Sequence, residues 1–445
     1  MQIGSVAELV YEYERINIMN RTFKKLAVGS AVALLAASSL TTISPVEAKA
    51  ASKPTKVTVW HAMNGNYNDA FQDEVKAFNA SQKKYRVVAT GQGDYTTLNQ
   101  KVMAAAKSKT LPVISQATYT QVPDYAKQGI VQNLDKQVKG KDGWSKKDLK
   151  NIYPGFLEQT KYDGHYYAMP FSASVRVMLY NKTILDKYNL EVPKTWDDIQ
   201  KMAPTLAADG IATVGFDKSY DMEWDGLVRS AGTQIVDKKG HVKADSKDAV
   251  QAADMLNGML DKGYALTAGS DMYGTNNFVN GKTALSFSSS AGVSATKEAV
   301  PDGFDWGTAV IPAYQGKRAT QFAGNNLVLT SQANKKEAVG AFAFMKFLAS
   351  DKQTEKWAEK TGYLPITKKA ANSKQYNQYL KDNPLATAGA DSLQYGFSDA
   401  AFPGYQEYRN NLTATVDKMV TKHTPAKEAL KTLNQQIEKT IKDNK

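Results

Sequence analysis

Hydrophobic positions along the first third of the chain alternate between two spacings. Residues 55–60 place valines at every second position, which predicts a β-strand, and 85–90 are again rich in strand-forming residues. Residues 69–78 and 98–106 instead repeat apolar side chains at the three- and four-residue spacing of one helix face. A short apolar run at 111–115 follows. Strands alternating with helices predict βαβ units on a mostly parallel sheet.

The remainder of the chain repeats this alternation. Thr195 with Asp198 three residues later predicts a helix start with a capping box, and Gly263 is expected to end a helix whose apolar face runs from residue 250 to 260. Asn280-Gly281 predicts a turn between a helix and a strand. The other predicted elements are strands at 171–180 and 283–287 and helices at 339–348 and 425–443.

Composition narrows the class of protein. The 445 residues are 42% hydrophobic and 22% charged, which excludes a disordered or collagen-like chain and suits two or three domains. Cysteine is absent from the sequence, so disulfides, thiolate metal sites and a lipidated N-terminal cysteine are excluded. The four histidines are far apart in sequence, which argues against a histidine metal centre. The net charge of +12 is diffuse and carries no nucleic-acid motif.

Residues 1–50 have the pattern of an export signal. A basic segment at 19–25 precedes an apolar stretch at 26–40, which is shorter than the ~20 residues of a comfortable membrane span. Ala48-Lys49-Ala50 matches a small-residue cleavage site. We therefore predict translation from Met19, cleavage after Ala50 and an exported mature protein, with an uncleaved anchor as the alternative.

Two candidate catalytic motifs fail on their spacing or composition. Gly281-Lys282-Thr283 resembles the end of a phosphate-binding loop, but six residues separate Gly281 from the glycine before it, where that loop needs four. Residues 288–292 resemble a nucleophile elbow in which serine replaces the first glycine. We predict no phosphate loop and no serine nucleophile.

Paired carboxylates do not form a catalytic pair either. Asp73-Glu74 and Asp197-Asp198 fall inside predicted helices, where adjacent side chains point about 100° apart. Without a catalytic constellation the sequence favours a binding protein over an enzyme, with no cofactor and no metal.

Six stretches resemble the extracellular solute-binding proteins of ABC importers, in the branch that binds sn-glycerol-3-phosphate. They follow one another along the chain in the same order as in that family. The most specific are a Trp-His-x-Met-x-Gly start at 60–65 and a Thr-Gly-Tyr-Leu-Pro segment at 361–365. The others lie at 170–174, 179–182, 193–198 and 278–284, so that the resemblance covers nearly all of residues 55–443.

The resemblance implies a two-lobed α/β fold of the periplasmic-binding-protein type II class, with mostly parallel sheets, flanking helices and a ligand cleft between the lobes. The implied N-terminal lobe is 51–172 with 323–362, and the C-terminal lobe is 173–322 with 363–445. The chain would cross between lobes near 171–177, 322–326 and 363–367. Such proteins close around their ligand by a hinge motion.

The resemblance also implies a set of ligand contacts. Arg409 matches an arginine that pairs with phosphate, and Gly324 matches a glycine whose backbone approaches the ligand. A second contacting serine of the family matches either Ser289 or Ser290. The remaining implied contacts are Tyr95, Ser174 and Tyr363. Hydroxyls, a backbone N–H and one guanidinium are donors suited to a phosphate.

The sequence departs from the family pattern where a glutamate would accept hydrogen bonds from glycerol hydroxyls. Tyr119 occupies that position, and the segment that follows differs, offering Tyr220 and Trp224 as aromatic surfaces. Arg176 is an additional cation near the implied crossing. We therefore predict capture of sn-glycerol-3-phosphate or a glycerophosphodiester, with an oligosaccharide stacked on Trp224, Tyr119 and Tyr220 as the alternative.

The expected partners are the small ligand and the permease subunits of an ABC importer, at the cell surface or in the periplasm. Two other functions stay open at this point. An exported hydrolase would need convergent carboxylates or a metal, and a wall adhesin would use the basic charge.

Overall fold

The computed structural model describes residues 53–141, 143–237, 239–269, 271 and 273–444. The predicted signal segment at 1–50 and its cleavage site lie outside the described residues. Among those described, no helix is both long and apolar enough to cross a membrane.

The strands confirm most of the predicted β-segments. Their bounds are β1 Thr55–His61, β2 Tyr85–Gly91, β3 Ile114–Ala117, β4 Lys161–Tyr162, β5 His165–Tyr166, β6 Ala168–Asn181, β7 Ala212–Gly215, β8 Ala265–Leu266, β9 Thr283–Ser289, β10 Trp306–Ala309, β11 Thr320–Leu329 and β12 Gly396–Phe397.

Helices follow the strands as the hydrophobic spacing predicts. Their bounds are α1 Gly65–Ser81, α2 Tyr95–Ser108, α3 Val122–Lys127, α4 Asp135–Lys139, α5 Lys146–Asn151, α6 Pro154–Glu158, α7 Lys182–Lys187, α8 Trp196–Ala207, α9 Asp221–Ser230, α10 Lys247–Asp261, α11 Thr275–Val279, α12 Val293–Ala299, α13 Lys335–Leu348, α14 Asp351–Thr361, α15 Lys368–Ala371, α16 Lys374–Asp382, α17 Thr387–Ser392, α18 Tyr405–Lys422 and α19 Ala426–Asp443. Single 3₁₀ turns lie at Ser290–Gly292, Pro384–Ala386 and Leu393–Tyr395.

One sheet runs through the whole described unit in the order β2-β1-β3-β11-β6-β9-β7-β8. Its outer pairs are parallel, as predicted: β1 with β2 and β3, and β7 with β8 and β9. The two central strands, β6 and β11, are antiparallel to each other and to β3, β9 and β10, and β11 also pairs in parallel with the short β12. Each end of the sheet is therefore a βαβ layer, and two long strands join the layers.

Strands β6 and β11 are long because each belongs to both layers. The first half of β6 pairs with β11 and its second half with β9 and β10, while β11 pairs with β3 through its last four residues. Leu364 N donates to Ala173 O at 2.7 Å, which places a third crossing segment beside β6. The lobe boundaries and the three crossings between the lobes stay predictions.

Separate hydrophobic cores lie at the two ends of the sheet. Phe71, Phe344 and Trp357 belong to the core around β1 and β2, and Trp224 and Leu256 belong to the core around β7. A third cluster lies beneath β6 and β11 at the centre. This distribution gives two packed bodies that share their central strands.

Candidate ligand-binding cleft

A cavity of about 810 Å³ opens between the two halves of the sheet. One wall is the turn from β1 to α1 with the start of α2, and the other is formed by α11, the end of β9 and α12. These walls lie at the carboxyl ends of parallel strands, where α/β folds place their ligands. Its lining includes four tyrosines, namely Tyr67, Tyr95, Tyr273 and Tyr363.

Tyr95 is held at the floor of the cavity by the central strands. Its helix, α2, begins after Asp94, whose carboxylate accepts from Thr97 N at 2.7 Å and caps the helix. Asn325 Nδ2 of β11 donates to Tyr95 Oη at 2.8 Å. Burial raises the pKa of Tyr95 to about 12, so its phenol stays protonated and can donate to a ligand.

Tyr363 and Tyr67 form a second aromatic surface of the cavity. The Tyr363 ring stacks on Trp357, with centroids 6.0 Å apart, and meets Tyr67 edge-on at 5.8 Å. Tyr67 Oη also donates to Ala291 O on the opposite wall at 2.8 Å. Tyr95, Ser289 and Tyr363 are thus the three sequence-predicted contacts that line this cavity. Tyr67 was missed because a lone tyrosine after a strand carries no distinctive spacing.

Three other predicted contacts lie just behind the lining. Ser174 is buried on β6, opposite Ala323 of β11. Ser290 is buried, and its Oγ accepts from Val175 N at 3.3 Å. Gly324 has a φ of 120° and packs against the Ser172 carbonyl. In this conformation these residues support the floor and do not line the cavity.

Arg409 and Tyr119 belong to a separate polar cluster. Arg409 Nη1 forms an ion pair with the buried Asp221, and the Arg409 side chain is 34% exposed. The Asp221 carboxylate accordingly raises the pKa of Arg409 above its ordinary value. Neither Arg409 nor Tyr119 lines the 810 Å³ cavity.

Gln321 of β11 connects this polar cluster to both halves of the molecule. Its Nε2 donates to Tyr119 Oη at 3.5 Å, to Asp225 Oδ2 at 3.4 Å and to Asp399. The Tyr119 ring also meets Tyr405 edge-on at 6.1 Å. The two lobes therefore touch at this polar cluster.

Trp224 lies in the core of the second lobe. The residue is 1% exposed, and its indole N–H donates to Ala249 O at 2.9 Å. Tyr220, the other aromatic surface that the sequence predicted, is also fully buried, and its hydroxyl donates to Asn257 Oδ1. Neither ring is available to stack on a ligand, because α9 turns that face toward α10. The expectation of an aromatic platform at Trp224 is corrected accordingly.

Arg176 is the cation nearest the cavity, and its charge is already compensated. Its Nε donates to Glu223 Oε1 at 2.9 Å, and its Nη1 pairs with Asp217 Oδ2 at 2.9 Å. Burial by itself would lower the pKa of Arg176, but these two carboxylates outweigh it and raise that pKa. Two carboxylates thus surround one guanidinium at the edge of the site.

Glu223 should make stability fall as the pH rises from about 5 to 7. Burial raises its pKa to about 7, despite the attraction of Arg176. The folded state therefore keeps a proton on Glu223 up to about pH 7, whereas the unfolded state releases it near the ordinary pKa of about 4.5. This difference contributes about 2 kcal/mol to the free energy of unfolding, and that contribution is lost between about pH 5 and pH 7. Glu223→Gln should flatten this part of the curve, measured as the free energy of unfolding in urea at several pH values.

The effect of Glu223 is the difference in the free energy of unfolding between wild type and Glu223→Gln at each pH. Burial lowers the pKa of His61 to about 4, which adds a slope of the opposite sign below pH 6.5 in every variant. Glu191→Gln, at an exposed position, is the matched control. Parallel curves for wild type and Glu223→Gln would contradict the assignment.

Similarity to known proteins identifies the class of protein to which this fold and cleft belong. A family model described as bacterial extracellular solute-binding protein matches residues 74–387, and the chain belongs to this family. The sn-glycerol-3-phosphate-binding periplasmic protein UgpB of Escherichia coli (strain K12) is 28% identical over 360 residues, which cover 76% of this chain and 79% of that protein. The UgpB of Shigella dysenteriae serotype 1 (strain Sd197) matches with the same identity and coverage.

Solved structures give the same fold. A cyclic alpha-maltosyl-1,6-maltose binding protein from Arthrobacter globiformis matches with a TM-score of 0.78 at 21% identity, covering 88% of this chain and 100% of that one. UgpB from Mycobacterium tuberculosis in complex with glycerophosphocholine matches with a TM-score of 0.77 at 20% identity, covering 88% and 99%. The predicted two-lobed type II fold is confirmed.

Membership of the family sets the general role of the chain. It is the extracellular solute-binding component of an ABC importer, which binds a small molecule and delivers it to the permease. The family is one of transport proteins and not of enzymes.

Proposed function

We propose that this solute-binding protein captures a carbohydrate, and that an oligosaccharide is its transported ligand. The observation that carries the proposal is the charge of the cavity. Among the described residues that line it, Arg176 is the one lysine or arginine, and it is already paired with Asp217 and hydrogen-bonded to Glu223. A phosphate dianion in this cavity would find no free cation.

The carboxylates of the cavity lining add to this argument. Asp94 and Glu298 both line the cavity, so a bound anion would meet negative charge as well. Burying a charge without a partner is costly, whereas carboxylates accept hydrogen bonds from neutral hydroxyls at no such cost. A polyhydroxylated, uncharged ligand therefore suits these walls better than a phosphate does.

Size and aromatic content favour the same class of ligand. A volume of about 810 Å³ lies toward the upper end of the ~300–1,000 Å³ of small-molecule sites, more than a glycerol phosphate needs. The four tyrosines of the lining offer flat apolar faces with hydroxyl groups at their edges. Sugar rings present apolar C–H faces and peripheral hydroxyls that match such surfaces.

The second candidate is sn-glycerol-3-phosphate or a glycerophosphodiester. The 28% identity to the sn-glycerol-3-phosphate-binding UgpB proteins favours it. It requires Arg409 to leave Asp221 and turn to the ligand, because the pair now neutralises that guanidinium.

Calorimetry with one ligand panel separates the two candidates. The panel is maltose to maltoheptaose, cellobiose to cellopentaose, sn-glycerol-3-phosphate and glycerophosphocholine. We expect binding heat from an oligosaccharide and none from the phosphates, and an Arg409→Ala variant should bind that oligosaccharide within about threefold of wild type. Binding of sn-glycerol-3-phosphate that Arg409→Ala abolishes would replace the first candidate by the second.

A further inference from the structure

Tyr273 stands out at the mouth of the cavity. It is 63% exposed, and among the described residues only Val88 and Val339 are comparably exposed large hydrophobic side chains. Those two valines do not line the cavity, whereas Tyr273 does. An aromatic ring left in water at the entrance of a ligand cavity is apolar surface that a ligand can cover.

The other tyrosines of the cavity already have partners within the protein. Tyr95 accepts from Asn325, Tyr67 donates to Ala291 O, and Tyr363 stacks on Trp357. Tyr273 makes neither a ring contact nor a side-chain hydrogen bond with any described residue. Its face and its hydroxyl are both available.

Tyr273 is placed where the two walls face each other. It lines the cavity together with Arg176 on its own side and with Tyr67 and Asp94 on the opposite side. It precedes α11, which the Asp217 carboxylate fixes by accepting from Gly274 N at 2.9 Å. The ring is thus attached to an anchored turn at the gap between the lobes.

We propose that Tyr273 forms an outer sugar subsite, where its ring stacks on a sugar unit that extends beyond the inner tyrosines. This inference rests on the proposed function and narrows it to oligosaccharides long enough to reach from Tyr95 and Tyr363 to the mouth. The exposed Asp94 carboxylate across the gap accepts hydrogen bonds from hydroxyls of the same unit. Tyr273 is therefore a determinant of chain-length preference.

The consequence for affinity depends on ligand length. A short sugar fills the inner part of the cavity and does not touch Tyr273. A longer one gains the stacking contact and also covers the exposed face of the Tyr273 ring. Loss of the ring should therefore weaken the longer ligands selectively, by about tenfold.

The test compares Tyr273→Ala, Tyr273→Phe and the control Val339→Ala by calorimetry with maltose to maltoheptaose and cellobiose to cellopentaose. In the series that wild type binds, Tyr273→Ala should raise Kd for the longest member about tenfold and for the shortest less than about twofold. Tyr273→Phe, which keeps the ring, and Val339→Ala, which removes exposed apolar surface elsewhere, should match wild type. Equal Tm values establish that the fold is intact, as expected for an exposed position.

Two outcomes would overturn the outer subsite. One is an unchanged Kd at every length in Tyr273→Ala, and the other is a uniform rise at every length, which would place Tyr273 in the inner site. In both cases the proposed carbohydrate function stands, because wild type binds sugar. If wild type binds none of the sugars, the proposed function itself fails, and the subsite with it.

Discussion

Gly324→Ala is expected to lower the free energy of unfolding by about 3–5 kcal/mol, a loss at the top of the range for single substitutions. Gly324 lies in β11 opposite Ala173 of β6 with a φ of 120°, a conformation that side chains disfavour. A Cβ atom there would overlap the Ser172 carbonyl oxygen and approach its carbon at 2.9 Å. Because these are backbone atoms of the paired strand, they cannot rotate away.

Urea unfolding with Gly258→Ala as the control makes this measurement specific. Gly258 lies within α10, and a Cβ there would meet no atom within 4 Å. Alanine should stabilise that helix by about 0.5–1 kcal/mol. If Gly324→Ala remained within about 1 kcal/mol of wild type, the central strands would be far more adaptable than their pairing indicates.

Asp221→Asn should raise the affinity of the protein for phosphate ligands. Asp221 is buried beside the partly exposed Arg409 and neutralises its guanidinium. Asparagine keeps the size of the side chain and removes its charge, so that the guanidinium is free to pair with an anion. Since a charged hydrogen bond is worth about 1.5–3 kcal/mol, we expect the affinity for glycerophosphocholine or sn-glycerol-3-phosphate to rise at least about tenfold.

The double variant Asp221→Asn with Arg409→Ala is the control for this gain. It should lose the new phosphate binding while keeping the Tm of the single variant within a few degrees. A folded Asp221→Asn protein that gains nothing would mean that Arg409 cannot reach a ligand from its present position. The preference between phosphate and sugar ligands would then depend on the residues that line the cavity alone, and not on the pairing of Arg409 with Asp221.

Local sequence signals predicted much of the fold. Thr195 accepts from Asp198 N, and Asp198 accepts from Thr195 N, as the capping box requires. Gly281 has a φ of 68° in the turn before β9, which agrees with the Asn-Gly prediction. These features depend on neighbours within a few residues, so the sequence states them directly.

The site could be predicted only in part, because its contacts join distant residues. Resemblance located Tyr95 and Tyr363, which meet in the cavity. No spacing rule could find that Arg176 pairs with Glu223, 47 residues away. The burial of Trp224 was equally hidden, since α9 carries acidic and aromatic residues on the same short helix and only tertiary packing decides which side faces α10.

The ladder between β6 and β11 shifts register between Asn325 and Asn326, one residue from Gly324. An irregularity in a ladder increases local twist and gives the pair a point of weaker pairing. Because the two bodies are parts of one hydrogen-bonded sheet, they cannot slide apart without breaking it. We therefore expect the walls to approach and separate by a torsion of β6 and β11 centred near this irregularity, and not by sliding of one body past the other.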